Sequence, residues 1–270
     1  MNVFDYCEKH TKEHHSLTYY LARLFGNREN IKYFFLFYSY LRIVDDLIDD
    51  QSKDNQEKIK YLDDQQAVLT EKVEDETDDL EKNIIREIIR FDRNYSGFLT
   101  KRILDMFEIF RFDINRLGKY VSRDELFRYY HLESEVSLLT ILFFIIPSSK
   151  IKIYETVKIG VLSKVIHTIR DLDEDLSEGV INIPLEYKDK SNEYIEWIKT
   201  EIPKWIYSGR KGILQVNNMK YAIVCVVNYN RYLSEFYSAI DKVPGFLIKI
   251  FYGFKVILEI PVTVFKMKFQ

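Results

Sequence analysis

The chain has 270 residues, 47% hydrophobic and 30% charged, a composition that folds and is not disordered. Nine glycines and five prolines are too few for a many-stranded sandwich or barrel, which needs a turn every ~8–12 residues, and they favour long helices. A net charge of −3 leaves no basic footprint for nucleic acid.

The N-terminal segment MNVFDYCEKHTKEHH is charged and lacks the apolar centre of a secretory signal. Cys7 and Cys225 match no metal spacing and read as free thiols of a reducing, cytoplasmic compartment. A buried helix is expected from about Asn30 to Asp50, through YFFLFYSYLRIVDDLIDD, and a charge-rich helix after the polar stretch QSKDNQEKIK. The run EKVEDETDDLEK at 71–82 carries seven acids and reads as a solvated loop or helix face. NIIREIIRF and FLTKRILDMFEIFRFDI then show helical periodicity. Ser122 with Glu125 forms a capping box for the next helix, and Pro147 is expected to stop it. Another helix is predicted from about Lys152 to Asp175, with Gly179 breaking the pattern and Pro184 opening a loop. NEYIEWIKTEIPKWIYSGRKGI and MKYAIVCVVNYNRYLSEFYSAIDKV read as two further helices. The last segment, GFLIKIFYGFKVILEIPVTVFKMKF, is interrupted by Lys249, Lys255, Glu259 and Pro261, which argues against a spanning helix. It reads either as a helix packed on the domain or as a peripheral membrane contact. The expected architecture is one all-α domain of eight or more helices over residues 1–270.

Two acidic clusters stand out. Tyr38, Arg42, Asp45 and Asp49 fall within roughly 60° on a helix, with Asp46 beside them. Anions at the end of a buried helix repel one another and oppose its macrodipole, at about 0.3–1 kcal/mol each. Lys164, His167, Asp171 and Asp175 share a second face, next to Arg170. Placed at the end of the predicted helix, this group meets the same objection. An acidic helix end in water explains one such cluster but poorly explains two. The alternative is a cavity where facing carboxylates hold Mg²⁺, the hard cation that carboxylate oxygens suit. A phosphorylated ligand would bind through the metal, with Arg42 and Arg170 on its oxygens.

These residues resemble the squalene/phytoene synthase family. HHSLTYYLARLFGNRENIKYFFLFYSYLRIVDDLIDD is similar to the family's N-terminal block with its first Asp-rich motif, and IGVLSKVIHTIRDLDEDLSEGVINIP to the second motif with its Gly and Pro landmarks. YYHLESEVSLL, between them, is similar to the helix lining the lipid tunnel. The resemblance implies an all-α helical bundle of the isoprenoid (class I terpenoid) synthase type with a central cavity. It also implies Mg²⁺-dependent head-to-head joining of two prenyl diphosphates, farnesyl or geranylgeranyl; Mn²⁺ is a further candidate and NADPH serves some members. Carried over by position, Asp45, Asp46, Asp49, His167, Asp171 and Asp175 would form the metal sites. Tyr38, Arg42 and Arg170 would be catalytic. Ser16, Thr18, Tyr19, Lys164, Val136 and Ser137 would meet substrate.

The chain departs from the pattern at several positions. His167 stands where an Asn ligand is usual, and imidazole suits Mg²⁺ poorly. Lys164 replaces a Gln, so its ammonium would take over part of one metal's charge. Ser134 and Ser137 replace tunnel glycines, Glu133 and Glu135 flank Ser134, and Asn182 replaces an aromatic. These changes keep two other readings open: a non-catalytic, membrane-associated assembly protein on the same fold, and a cyclase of one prenyl diphosphate.

Overall fold

The structure is a computed structural model and describes residues 2–50, 52–70, 79–145, 155–240 and 245–268. Among the described residues there are twelve α-helices and no strand, as the low turn-residue content predicts. The acidic run at 71–78, the stop at Pro147 and the helix start near Lys152 lie outside them. The chain divides into two compact units.

The first unit holds residues 1–115 and 140–151. Its centre is α3, Ile31–Asp49. Phe34, Phe35, Leu36, Phe37, Tyr40, Val44 and Ile48 are all buried, so the helix is apolar nearly all round and needs neighbours on every side. Burying each such side chain stabilises the unit by roughly 1.5–3 kcal/mol. α1 (Val3–His14) packs along it, and α2 (Ser16–Phe25) follows after the single residue His15. α4 (Asn55–Thr70) begins at a reciprocal cap: Asp54 Oδ1 accepts from the N–H of Gln56 and of Glu57 (both 2.8 Å), and Glu57 Oε2 accepts from the Asp54 N–H (3.1 Å). α5 (Leu80–Asp92) ends in a buried carboxylate, Asp92, which accepts from the N–H groups of Leu99 (3.0 Å) and Thr100 (2.8 Å) and so caps α6 (Phe98–Arg116).

The second unit holds residues 116–139 and 152–270. α7 (Arg123–Ile145) belongs to it as far as Leu139. The capping box forms as predicted: Ser122 N–H donates to Glu125 Oε2 at 2.9 Å, and Glu125 N–H to Ser122 Oγ at 3.3 Å. α8 (Val157–Arg170) crosses α7 so closely at Gly160 that a Cβ there would lie 2.5 Å from Ser134 Cβ. α10 (Ser191–Val216) and α11 (Met219–Ile240) pack against α8. α12 (Gly245–Lys268) packs against α11 and runs through Pro261 without a break.

One expectation is corrected here. The helix drawn through to Asp175 breaks at Asp171 (φ −98°, ψ 13°), where α9 (Leu172–Ser177) begins. Asp173, Glu174 and Asp175 therefore lie in a first helical turn, where the dipole favours anions. The electrostatic objection to the second cluster shrinks to Asp171, which caps the C-terminus of α8, while the first cluster keeps it in full. Gly179 ends α9 at φ +79°, and its carbonyl accepts from Gly118 N–H at 2.8 Å.

Candidate active site

The first motif occupies the last turns of α3. Arg42 reaches forward along the helix to Asp45 and donates to Asp46 Oδ1 at 3.0 Å, so one guanidinium spans two carboxylates. Asp49 ends the helix and is exposed at its surface. Partial desolvation lifts its carboxyl above the usual range, opposed by Arg42 and Lys58 and reinforced by Asp113 and Asp46. Asp50 serves the backbone, its Oδ1 accepting from the N–H and the hydroxyl of Ser52 and turning the chain out of α3. Tyr38 lies against Phe34, and the His15 ring meets it edge-on with centroids 5.2 Å apart.

The substrate candidates of α2 divide. Ser16 is exposed in the first turn, and Thr18 is half-buried. The Tyr19 hydroxyl donates to Glu8 Oε1 at 3.1 Å while its ring stacks on Phe35. His15 was missed by the sequence reading. Burial, then Arg42, holds its imidazole pKa down, so a neutral ring stands beside Tyr38 and the first motif.

The second motif is built around Arg170. Its Nε and Nη2 donate to the two oxygens of Asp171, both at 2.6 Å, and its Nη1 donates to Glu235 Oε2 at 2.9 Å. The fork holds the Asp171 carboxyl below the usual range. Asp175 lies one turn on and shows the reverse: burial raises it, partly offset by Asn182, whose Nδ2 donates to its Oδ2 at 2.7 Å. Asn182, the residue standing in the usual aromatic position, thus holds a motif carboxylate. Lys164 pairs with Glu133 at 3.0 Å and lies over the Tyr129 ring. Glu133 therefore turns inward and Glu135 outward, which accounts for two acids on the helix expected to line a lipid tunnel. Val136 is buried and Ser137 exposed, so these neighbours do not share a wall.

His167 meets Tyr232 edge-on, and its Nε2 lies 3.7 Å from Glu235 Oε2. Burial, followed by Arg170, pushes its pKa down to about 4. Glu235 comes from α11, 60 residues beyond the motif, and also accepts from Arg231 at 2.8 Å. Nothing in its local sequence marks it except an acid four residues after an arginine.

The donor set suits Mg²⁺ in part. Asp45 and Asp49 offer oxygens, and the raised Asp49 carboxyl feels Asp113 and Asp46, a repulsion that a cation would relieve. Asp171 and Asp175 offer oxygens again. His167 does not suit the ion: it offers nitrogen and faces Glu235. Among the described residues no three His, Cys, Asp or Glu side chains gather into a metal-holding group. Each carboxylate pair would leave Mg²⁺ the water and phosphate ligands it ordinarily keeps.

No curated protein matches the sequence. The family model for squalene/phytoene synthase matches residues 12–192, a span containing α2, α3, α7 to Ile145, both Asp-rich motifs and Asn182, and ending before Glu235. Members of that family are prenyltransferases that bind prenyl diphosphates, generally with Mg²⁺, on an all-α terpenoid-synthase-type fold. With two thirds of its length matched and both motifs inside the match, this helical chain belongs to the squalene/phytoene synthase family.

Proposed function

We propose that this protein condenses two prenyl diphosphates head to head into a squalene-, dehydrosqualene- or phytoene-type hydrocarbon. The observation carrying the reading is that each motif inside the matched span sets an arginine on its first carboxylate, Arg42 on Asp45 (and on Asp46) and Arg170 on Asp171, with a second motif carboxylate, Asp49 or Asp175, four residues further on. Mg²⁺, when bound by these carboxylates, neutralises charge on a departing diphosphate.

The chain's own groups do the rest. Arg42 and Arg170 are already placed among carboxylates, and each would meet diphosphate oxygens. Lys164 adds a further positive charge on the diphosphate once it leaves Glu133. The C–O bond of one allylic diphosphate breaks, and its electron pair leaves with the diphosphate. The double bond of the second substrate attacks the cation, and loss of a proton closes a cyclopropane that keeps its own diphosphate. A second ionisation rearranges this ring to a linear cation, quenched by hydride from NADPH or by proton loss. Tyr38, with His15 against its ring, would steer the cation or its proton.

The hydrocarbon product needs a lipid phase, so peripheral membrane contact of a cytoplasmic protein through the C-terminal segment belongs to the same reading. A second reading is favoured by one observation: His167 faces Glu235, and Lys164 is held by Glu133, so the second motif is altered. On that reading the protein is a non-catalytic assembly factor.

Purified protein with Mg²⁺ and farnesyl or geranylgeranyl diphosphate, with and without NADPH, separates these by extraction and mass spectrometry. A linear C30 or C40 hydrocarbon supports coupling and fixes the substrate. A cyclic product identifies a cyclase, and no turnover by folded protein supports the assembly role.

A further inference from the structure

α12 hides little of its apolar surface. Among its described residues nine large apolar side chains are exposed, Phe246, Phe251, Phe254, Leu258 and Val262 among them, more than in any other helix. At about 100° per residue the nine occupy one arc of roughly 160°. The opposite side packs on the unit, with Ile248 and Met267 buried.

Charge on this helix is biased strongly toward base. It carries four lysines, Lys249, Lys255, Lys266 and Lys268, and one acid, Glu259. Glu259 turns inward, where Arg210, the Tyr229 hydroxyl and Asn230 Nδ2 (2.9 Å) all donate to it. The outer surface of α12 is therefore apolar and free of acid, with Lys255 and Lys266 beside one border, Lys249 beyond the other and Lys268 at the C-terminal end, while the whole chain is net negative. No helix among the described residues is long and apolar enough to cross a membrane.

We propose that the outer face of α12 lies in the surface of an anionic lipid bilayer, its aromatic and aliphatic side chains among the acyl chains and its lysines at the headgroups. A helix with such a face and a net positive charge has the properties of an in-plane membrane helix. A second copy of the chain fits less well, since a two-fold pairing of this face would bring two net-positive helices together. The inference specifies the surface and lipid charge for the membrane contact proposed above. It rests on that contact and not on the chemistry, so a product assay in detergent separates a failure of one from a failure of the other.

The test is flotation of the full-length protein with phosphatidylcholine vesicles and with vesicles containing about 30% phosphatidylglycerol, at low and high salt. The double variant Phe254→Glu, Leu258→Glu is run beside it. Those side chains are 64% and 70% exposed, so replacing them leaves the core filled, and an unchanged thermal melt verifies this. The expected result is wild-type binding about tenfold greater on the anionic vesicles, weakened by salt, and about tenfold lower in the variant. Three results overturn the proposal: no wild-type binding, equal binding to both vesicle types, or equal binding by the variant. A wild-type dimer that the variant converts to monomer overturns it too, by assigning the face to a second copy.

Discussion

Glu259→Gln tests how α12 is held. In the wild type the Glu259 side chain is 17% exposed and accepts from Arg210, Tyr229 and Asn230. A hydrogen bond to a charged group stabilises by about 1.5–3 kcal/mol and a neutral one by about 0.5–1.5, so the amide loses about 1 kcal/mol at each of Tyr229 and Asn230. Arg210 is nearly half exposed, and water screens its share to less than about 1 kcal/mol. The sum is about 2–3 kcal/mol, or roughly 4–12 °C in Tm for a chain of this size. The pH dependence has a definite sign. Hydrogen bonds from Tyr229 and Asn230, with Arg210, hold the Glu259 carboxyl below its ordinary 4.5 against the opposing effect of burial. Its stabilisation is therefore complete above that value and is lost as pH falls through the lower folded value. Urea denaturation of wild type and variant at pH 7 should show the full gap, and the gap should narrow progressively as pH falls below 4.5. A gap that stays the same across that range, or one below about 0.5 kcal/mol at pH 7, would refute the reasoning.

Three other perturbations follow from the second motif and the core. His167→Asn supplies an oxygen in place of a ring that stays neutral above about pH 4, and should lower the Mg²⁺ concentration for half-maximal activity severalfold. Glu235→Gln leaves Arg170 held by Asp171 alone, strengthens its competition with cation there, and should move the Mg²⁺ requirement the opposite way. Cys7 and Cys225 are buried, with thiols pushed up to about 12, so a thiol reagent should modify neither until denaturant unfolds the chain.

Much of this was legible in the sequence because it is local. The apolar run of α3 followed by acids, the Ser122–Glu125 cap and the scarcity of turn residues each depend on a few neighbouring residues. The break at Asp171 was not legible: the i, i+4 bonds from His167 to Asp171 and from Asp171 to Asp175 persist across it, so the residue pattern reads as one helix. Glu235, Glu133 and Asn182 escaped for another reason. Their roles are set by partners on other segments, Arg170, Lys164 and Asp175, and sequence spacing carries no trace of such pairings. α12 was read correctly as interrupted by charge, but only the packing of Glu259 against Arg210, Tyr229 and Asn230 shows that its acid faces inward.

The most direct test of the coupling chemistry is the stoichiometry of inorganic diphosphate against hydrocarbon, measured in one reaction with Mg²⁺ and the substrate that turns over. Head-to-head coupling releases two diphosphates for each hydrocarbon formed, and both Asp45→Ala and Asp171→Ala should abolish the two products together. One diphosphate per hydrocarbon, or an unchanged yield in either variant, would contradict the account.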